Sequence, residues 1–174
     1  MIICAGDKES FEFATPIGIG MVDSAINLTR ISIMNPPEFI LFVGSAGSYG
    51  EKKIFDIIES KSASNIENSF FNANAYSPID NVVSSATDIN SEVIVNSSNY
   101  ITTDENLSKR YLSHNIGIEN MEFFSIIKVA QKFNIPVGGI FIVTNYCNSD
   151  AHKDFMSNHK EAMIRLTQYI QNRV

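Results

Sequence analysis

The stretch ENMEFFS occupies residues 119–125, and the chain reads VTNYC at residues 143–147, one helix and one strand later. In the first stretch a Met–Glu pair stands at the start of a helix whose apolar residues recur with helical spacing. These apolar residues are Phe123, Ile126, Ile127 and Ala130. The second stretch overlaps the end of VGGIFIVTN at residues 137–145. This apolar run is typical of a strand buried on both faces. The sequence therefore predicts that Glu122 and Asn145 lie beside the same buried sheet.

Strands and helices alternate on the N-terminal side of these two stretches. Residues 12–19 predict a short extended segment that ends in GIG, and a helix is predicted over residues 21–34. One face of this helix carries Val22, Ala25, Ile26 and Ile33. FILFVG at residues 39–44 predicts a buried central strand. GSAGSYG at residues 44–50 predicts a loop, because its glycines let the backbone approach a ligand.

The remaining segments complete an alternating α/β pattern. IFDIIES at residues 54–60 and SEVIVNSS at residues 91–98 predict strands around an irregular segment rich in Asn, Ser and Asp. Asp104 is predicted to cap a helix that ends near His114, and a turn is expected between this helix and the next. A C-terminal helix is predicted from the apolar residues Phe155, Ala162, Met163, Leu166 and Ile170. The alternation predicts an α/β sandwich, with residues 1–174 as one domain.

Composition argues against several classes of protein. The 174 residues are 44% hydrophobic, which suffices for one packed core. The chain has 13 Lys and Arg against 19 Asp and Glu, so we expect no nucleic-acid partner. Because neither a bilayer-spanning apolar run nor a signal-peptide pattern is present, we expect no membrane partner and a cytoplasmic location. Cys4 and Cys147 lack metal-ligand spacing, so we expect buried free thiols and no metal.

Four segments in order carry a resemblance to a known family. They are GIGMVDSA at residues 18–25, VGSAGS at 43–48, VNSSNYITTD at 95–104 and NME at 120–122. Together they resemble the nucleoside phosphorylase and nucleosidase superfamily, which includes purine nucleoside phosphorylases, methylthioadenosine nucleosidases and futalosine hydrolases. The resemblance implies a three-layer α/β/α sandwich with a central mixed sheet, cleavage of the N-glycosidic bond of purine nucleosides, and a homo-oligomer. ENME together with TNY looks most like the futalosine-hydrolase branch.

The resemblance implies that Glu122 accepts hydrogen bonds from the ribose 2′ and 3′ hydroxyls, while Met121 packs on the sugar. The chemistry agrees, because two carboxylate oxygens can hold a vicinal diol as C1′ gains oxocarbenium character. The alternative is that Glu122 is a solvated first-turn residue, favoured there by the helix dipole.

Asn145 stands where many members of the family have the Asp that protonates purine N7. An amide can instead donate to N7 and accept or donate at the 6-substituent, and the resemblance to family members with an amide here implies a 6-oxopurine such as hypoxanthine or guanine. The alternative is that Asn145 ends its strand by bonding its own backbone. The resemblance also places Asn99, Tyr100 and Ile101 beside the base, although core packing competes as the role of Tyr100.

The glycine-rich segments correspond to the part of the family that holds phosphate or a nucleophilic water. The residues concerned are Gly20, Gly44, Ser45, Ala46 and Gly47. Phe42 stands where hexameric phosphorylases have an Arg, and water needs no cationic clamp, so hydrolysis is favoured over phosphorolysis. We expect no cofactor, with phosphate as the alternative co-substrate.

The N-terminus departs from the family pattern. The chain is expected to begin near the family's second strand, without the usual first strand and without the glutamate that activates water. Asp7 and Glu9 are the nearest replacements, but Asp7 is typical of a turn and Glu9 of a charge at a strand edge. A catalytically degraded nucleoside-binding or structural protein is therefore the alternative function.

The three histidines are too widely spaced for a metal pair. His114, His152 and His159 are expected to be exposed or to cap helices. Because the loop after the Asn145 strand often closes on the site in this family, His152 or Asp150 is an alternative general acid.

Overall fold

A mixed β-sheet lies at the centre of the computed structural model, which describes residues 1–85 and 93–173. In chain order these residues form β1 (Ile2–Cys4), β2 (Thr15–Pro16), α1 (Gly20–Met34), β3 (Ile40–Ser48), β4 (Ile57–Ser60), β5 (Ser62–Ser64), α2 (Asn68–Phe71), β6 (Val82–Ser84), β7 (Ile94–Ser97), α3 (Glu105–Ser113), β8 (Ile116–Asn120), α4 (Phe123–Phe133), β9 (Val137–Tyr146) and α5 (Ala151–Gln171). The predicted strand at residues 91–98 is confirmed as β7, although Ser91 and Glu92 lie outside the described residues.

One edge of the central strand, β3, pairs with two different strands, one near its start and one near its end. Along its other edge it pairs in parallel with the whole of β9. On the first edge it pairs in parallel with β1 near Leu41 and antiparallel with β8 at Gly47 and Ser48. Beyond β8 the sheet continues through β7, β5 and β6. The ends of β3, β8 and β9 therefore meet at one place.

Helices cover both faces of this sheet. On one face, α1 and α4 bury Leu28 and Phe123 against β3 and its neighbours, in a core that includes Phe42. On the other face, α5 buries Leu166 against Val43 and other residues of β3 and β9. The predicted three-layer α/β/α sandwich with a central mixed sheet is thus confirmed. Within the described residues no helix has the length and apolar character needed to span a membrane.

Several local predictions are confirmed. The predicted apolar face of α4, formed by Phe123, Ile126, Ile127 and Ala130, is fully buried. Asp104 caps α3 by accepting a hydrogen bond from the Asn106 amide at 2.8 Å, and Asn115 takes a left-handed φ of 61° just after the helix. Cys4 and Cys147 are both buried and free.

The apolar face that the sequence shows on α1 does not pack against the sheet. Its apolar residues Val22, Ile26 and Ile33 are 63%, 55% and 68% exposed, whereas Ser24 and Leu28 are fully buried. The buried face carries small polar residues, and Ser24 Oγ lies 2.7 Å from Ser125 Oγ of α4 in a hydrogen bond. Short hydroxyl side chains let α1 and α4 approach closely, and each hydroxyl satisfies the hydrogen-bonding requirement of the other. The polar residues of α1 are therefore not all on its solvent-exposed face.

Three other segments also differ from expectation. The predicted loop at residues 44–50 is mostly strand, since β3 runs to Ser48 and its glycines leave room for neighbouring side chains. The expected turn before α4 is the buried strand β8. The region after residue 60, predicted to be irregular, contains β5, α2 and β6. Residues 86–90 of that region lie outside the described residues.

The expectation that no strand precedes residues 12–19 is wrong. Ile2–Cys4 forms β1, which pairs with both β2 and β3. Residues 12–19 contain only the two-residue strand β2. A strand of three residues is too short to show a period, which is why the pattern did not reveal β1.

Candidate active site

A cavity of about 320 Å³ opens where β3, β8 and β9 meet. Most of the predicted site residues line it: Ser45, Ala46, Gly47, Tyr100, Ile101, Met121, Glu122 and Asn145. Gly20, Gly44 and Asn99 are not among its lining residues. The cavity is also lined by Glu119, which had no predicted role, and by Glu9, which the sequence named only as a possible replacement for the glutamate that activates water.

Glu122 lies at the junction of β8 and α4 and is only 5% exposed. Its Oε1 accepts a hydrogen bond from the Gly20 amide at 2.8 Å. Its Oε2 accepts from Asn120 Nδ2 at 2.9 Å and from the Met121 amide at 3.2 Å. Glu122 is therefore not a solvated first-turn residue. Gly20 donates to this carboxylate with a φ of +81°, a conformation that favours glycine.

Burial raises the pKa of Glu122 to about 7. The negative charge of Glu9 raises this pKa as well, whereas the amides of Gly20 and Met121 lower it. Both carboxylates line one cavity, where the charge of Glu9 acts on Glu122. Glu122 thus changes its charge near neutral pH.

Glu9 is a second carboxylate of the cavity, and its interpretation as a strand-edge charge is wrong. Its Oε2 accepts a hydrogen bond from the Ser45 amide at 3.1 Å, and its Oε1 accepts one from Ser45 Oγ. A Cβ at residue 44 would lie 2.9 Å from Glu9 Oε2, so Gly44 makes room for this carboxylate. Asp7 takes a φ of 52° in the turn between β1 and Glu9, as expected of a turn residue.

Asn145 lies beside Gly47 in the paired strands β3 and β9. Its Oδ1 accepts a hydrogen bond from Thr144 Oγ1 at 2.9 Å. Its Nδ2 donates to the Tyr146 carbonyl at 3.2 Å and would lie 3.0 Å from a Cβ on Gly47. Asn145 thus makes the predicted backbone bond at the strand end and also lines the cavity.

Glu119 faces Gly47 from the other side, in the paired strand β8. Its Oε1 accepts a hydrogen bond from the Thr102 amide at 2.9 Å. Its Oε2 accepts from Thr102 Oγ1 at 2.7 Å and from the Tyr49 hydroxyl at 2.8 Å. These bonds connect the segment containing Tyr100 and Ile101 to the sheet.

Tyr100 and Ile101 cover the cavity from a loop and are 84% and 56% exposed. The alternative interpretation, that Tyr100 packs in the core, is therefore wrong. Asn99 lies behind this loop, where its Oδ1 accepts a hydrogen bond from the Met21 amide at 3.2 Å. It therefore connects the loop to the start of α1 and does not face the cavity.

No protein-family model matches this sequence, and no curated protein matches it. Solved structures are similar to it. A mutant of the Helicobacter pylori nucleosidase MTAN, with 5′-methylthioadenosine in its active site, is 15% identical with a TM-score of 0.82 and covers 98% of this chain and 95% of its own. The futalosine hydrolase of Helicobacter pylori is 15% identical with a TM-score of 0.81, covering 98% and 94%. A 5′-methylthioadenosine/S-adenosylhomocysteine nucleosidase from S. pneumoniae is 17% identical with a TM-score of 0.77, covering 97% and 95%.

The chain has the nucleoside phosphorylase and nucleosidase fold. These similarities extend over nearly the full length of both chains. At 15% to 17% identity they establish the fold, and the chemistry of the site rests on the residues themselves.

The cavity of this nucleosidase-like fold is acidic. Glu9, Glu119 and Glu122 line it together with Asp7, whereas Lys8 is the one lysine among the described residues that line it. Within residues 1–85 and 93–173, none of the residues that line it is an arginine. The charge balance therefore disfavours an anionic ligand beside Ser45. The amide and the hydroxyl of Ser45 both already donate hydrogen bonds to Glu9.

The three histidines lie in different surroundings. His152 lines the cavity from the first turn of α5, whereas Asp150 precedes that helix and is exposed. His114 ends α3, and His159 packs on Phe155 with ring centroids 4.9 Å apart. Of the two alternative general acids, only His152 borders the cavity.

Proposed function

We propose that this chain hydrolyses the N-glycosidic bond of a purine nucleoside. The observation that carries the proposal is the pair of carboxylates, Glu9 and Glu122, in one cavity that Asn145 also lines. Hydrolysis of such a bond needs a group that holds the sugar, a group that activates water and a group that stabilises the leaving base. These three side chains supply the three groups.

Glu122 is proposed to hold the ribose. A carboxylate has about four acceptor positions, and three donors already occupy Glu122. One ribose hydroxyl can therefore bind directly at Oε1. The second displaces the Met121 amide, whose 3.2 Å bond is the longest of the three. Held in this way, the sugar presents C1′ in one orientation as it becomes an oxocarbenium ion.

Glu9 is proposed to activate the water. The carboxylate takes a proton from a water molecule while the water oxygen forms a bond to C1′. The bond from C1′ to N9 breaks, and its electron pair passes to the purine. Ser45 holds Glu9 by two hydrogen bonds and so fixes the direction in which the water is presented.

Asn145 is proposed to stabilise the leaving purine. One hydrogen of its Nδ2 bonds to the Tyr146 carbonyl, and the other is shared between N7 and the oxygen at C6, which favours hypoxanthine or guanine over adenine. An amide has no proton to transfer, so the purine leaves as a hydrogen-bonded anion and takes its proton from solvent. The absence of an acid at Asn145 is also the observation that favours the second candidate, a nucleoside-binding protein without catalysis.

Water is a better co-substrate than phosphate at this site. The donors of Ser45 that would bind phosphate are held by Glu9, and a second negative charge there would be repelled. Phosphate remains the alternative co-substrate only if Glu9 moves away from Ser45.

The homo-oligomer and the cytoplasmic location stay predictions. The exposed apolar residues of α1, which include Val22, Ile26 and Ile33, are the surface that we propose a second copy of the chain would cover. Light scattering of the wild type and of Ile26→Glu tests this, and a wild type that is monomeric at assay concentration would contradict it.

The function is tested by measuring free-base release from inosine, guanosine, adenosine, methylthioadenosine and futalosine, each with and without phosphate. Release without phosphate supports the hydrolase. Release only with phosphate replaces it by a phosphorylase. If the folded wild type binds these nucleosides in a thermal-shift assay but releases no base, the result supports the second candidate, a nucleoside-binding protein without catalysis.

A further inference from the structure

Two serines connect the helices that begin beside the cavity. Ser24 of α1 is fully buried, Ser125 of α4 is 8% exposed, and their Oγ atoms lie 2.7 Å apart. Ser24 Oγ also lies 2.7 Å from the carbonyl oxygen of Gly20, and Ser125 Oγ lies 2.7 Å from the carbonyl oxygen of Glu122. The two hydroxyls therefore form a chain of short contacts between the backbones of Gly20 and Glu122.

One of these hydroxyls donates to the other. A serine hydroxyl has a single proton and two lone pairs. Two oxygens 2.7 Å apart are at the usual distance of an O–H···O hydrogen bond, and without a proton between them they would repel each other. One serine therefore donates across the gap between α1 and α4, and the other donates to the carbonyl of Gly20 or of Glu122.

Gly20 and Glu122 are thus connected at two points. The Gly20 amide donates to Glu122 Oε1 at 2.8 Å, and the pair of serines joins the Gly20 carbonyl to the Glu122 carbonyl. A single hydrogen bond lets the two groups turn about it, whereas a second connection on the other side of the Gly20 Cα prevents that rotation. The first turn of α1 therefore stays in place against the Glu122 carboxylate.

Burial of a hydroxyl on α1 does not by itself produce such a connection. Ser32 lies about two turns after Ser24 on the same helix and is 3% exposed. Its Oγ has no hydrogen-bond partner among the described residues. The connection is therefore specific to the serine beside the cavity, and Ser32 provides a matched control.

We propose that Ser24 and Ser125 are positioning residues, which hold the first turn of α1 against the start of α4 so that the Gly20 amide keeps the Glu122 carboxylate oriented toward the ribose. The inference rests on the proposed function, because that function assigns the ribose to Glu122. It adds two residues that do not line the cavity and that act only through Glu122.

The test measures the titration of Glu122 without any nucleoside. Carbon-13 NMR of labelled glutamate carboxyls reports it, and Glu122→Gln assigns the signal. The Gly20 amide lowers the pKa of Glu122, which is about 7. Because Ser125→Ala removes the second connection and loosens this bond, the pKa of Glu122 should rise by about 0.5. Glu9, whose charge also acts on Glu122, is the same in every variant.

Three further variants separate positioning from packing. Ser32→Ala removes a buried hydroxyl of α1 that makes no bond, so the pKa of Glu122 should match that of the wild type. Ser24→Ala should raise this pKa as Ser125→Ala does, and the double variant should raise it no further, since the two serines form one connection. Ser125→Thr keeps a hydroxyl that can bond the carbonyl three residues earlier, and it should restore the wild-type pKa. A groove of about 470 Å³ beside Ser125 leaves room for the added methyl group.

Nucleoside binding gives a second measurement. At pH 7 the affinity for inosine should fall about fivefold in Ser125→Ala, which corresponds to the loss of one hydrogen bond. KM for base release should rise with little change in kcat, because the serines act on the residue that holds the ribose and not on Glu9. A role in packing alone would lower the melting temperature but leave the pKa of Glu122 and KM unchanged.

An unchanged pKa of Glu122 in a folded Ser125→Ala overturns the inference, and so does an equal rise in Ser32→Ala. If Ser125→Ala does not fold, Ser125→Cys decides, because a thiol fills a similar volume but donates weakly. A wild-type titration of Glu122 in that variant overturns the inference as well. The proposed function fails separately: a wild type that releases no base overturns the hydrolase, while a raised pKa in Ser125→Ala still supports the positioning of Glu122 by the serines.

Discussion

The two carboxylates of the cavity, Glu122 and Glu9, are held in contrasting ways. Glu122 is buried where β8 meets α4, and its hydrogen bonds come from two backbone amides and Asn120. Glu9 lies in the segment after β1, is partly exposed and is bound by one residue, Ser45. The first carboxylate is part of the packed core, and the second is attached to its surface.

This difference indicates how the work is divided between them. A carboxylate fixed by several donors suits the orientation of a sugar, because its oxygens keep their positions. A carboxylate in contact with solvent suits proton transfer, because it can pass the proton on to water. Changing each residue separately should therefore affect different kinetic constants.

The largest effect is expected for Glu9→Gln. Glutamine keeps the size of the side chain but is a far weaker base, so kcat for base release should fall about 10³-fold with little change in KM. Glu12→Gln makes the same change at an exposed residue of the same segment and should leave both constants unchanged. A Glu9→Gln enzyme with nearly normal kcat would remove Glu9 as the group that activates water.

The next effect is expected for Glu122→Ala, which should weaken nucleoside binding about 100-fold, because a hydrogen bond to a charged group is lost from a buried site. Calorimetry with inosine and with 2′,3′-dideoxyinosine measures it. The wild type should bind inosine more tightly than the dideoxy compound, whereas Glu122→Ala should bind both alike. Unchanged affinity for inosine would exclude the ribose-binding role.

The sequence predicted the position of Glu122, whereas it named Glu9 only as a possible replacement and favoured a strand-edge charge, and the reason is physical. Glu122 stands in front of a long helix with a clear apolar period, which locates it relative to the sheet. Glu9 follows a strand of three residues and reaches Ser45 through a turn with a positive φ at Asp7. Such a turn has no periodic pattern, so its contacts become known only from the folded chain.

Glycines and short polar residues explain the other differences. Residues 44–48 have loop-like composition but form a strand, because Gly44 and Gly47 give space to Glu9, Glu119 and Asn145. Ser24 is buried against Ser125 by a mutual hydrogen bond, which a hydrophobicity pattern does not register. Polarity fails as a guide where buried polar groups satisfy one another.

A third effect, on specificity, is expected for Asn145→Asp. An aspartate accepts from the amino group of adenine and repels the oxygen of hypoxanthine, so the ratio of kcat/KM for inosine to that for adenosine should fall about tenfold. Asn172→Asp introduces the same charge at an exposed site and serves as the control. An unaltered ratio would count against Asn145 as the residue that contacts the base.

The smallest effect concerns pH and follows from the environment of Glu122. Because burial raises the pKa of Glu122 to about 7, the carboxylate that accepts ribose hydroxyls forms only as pH rises through that value. Nucleoside affinity should therefore increase about threefold from roughly pH 6.5 to 7.5, and Glu122→Gln should abolish the increase. Calorimetry in buffers of different ionisation enthalpy should also detect proton release on binding, since a bound diol favours the ionised form.

The same raised pKa has the opposite consequence for stability. A carboxyl that binds its proton more tightly in the folded state stabilises the fold below its ordinary pKa, and this contribution is lost as pH rises to about 7. Without ligand, the melting temperature of the wild type should decline over this range more than that of Glu122→Gln. Saturating nucleoside should reduce the difference, because it supplies the hydroxyl donors that the ionised carboxylate lacks. Parallel declines in both proteins would indicate that Glu122 keeps an ordinary pKa and is more hydrated than its buried position implies.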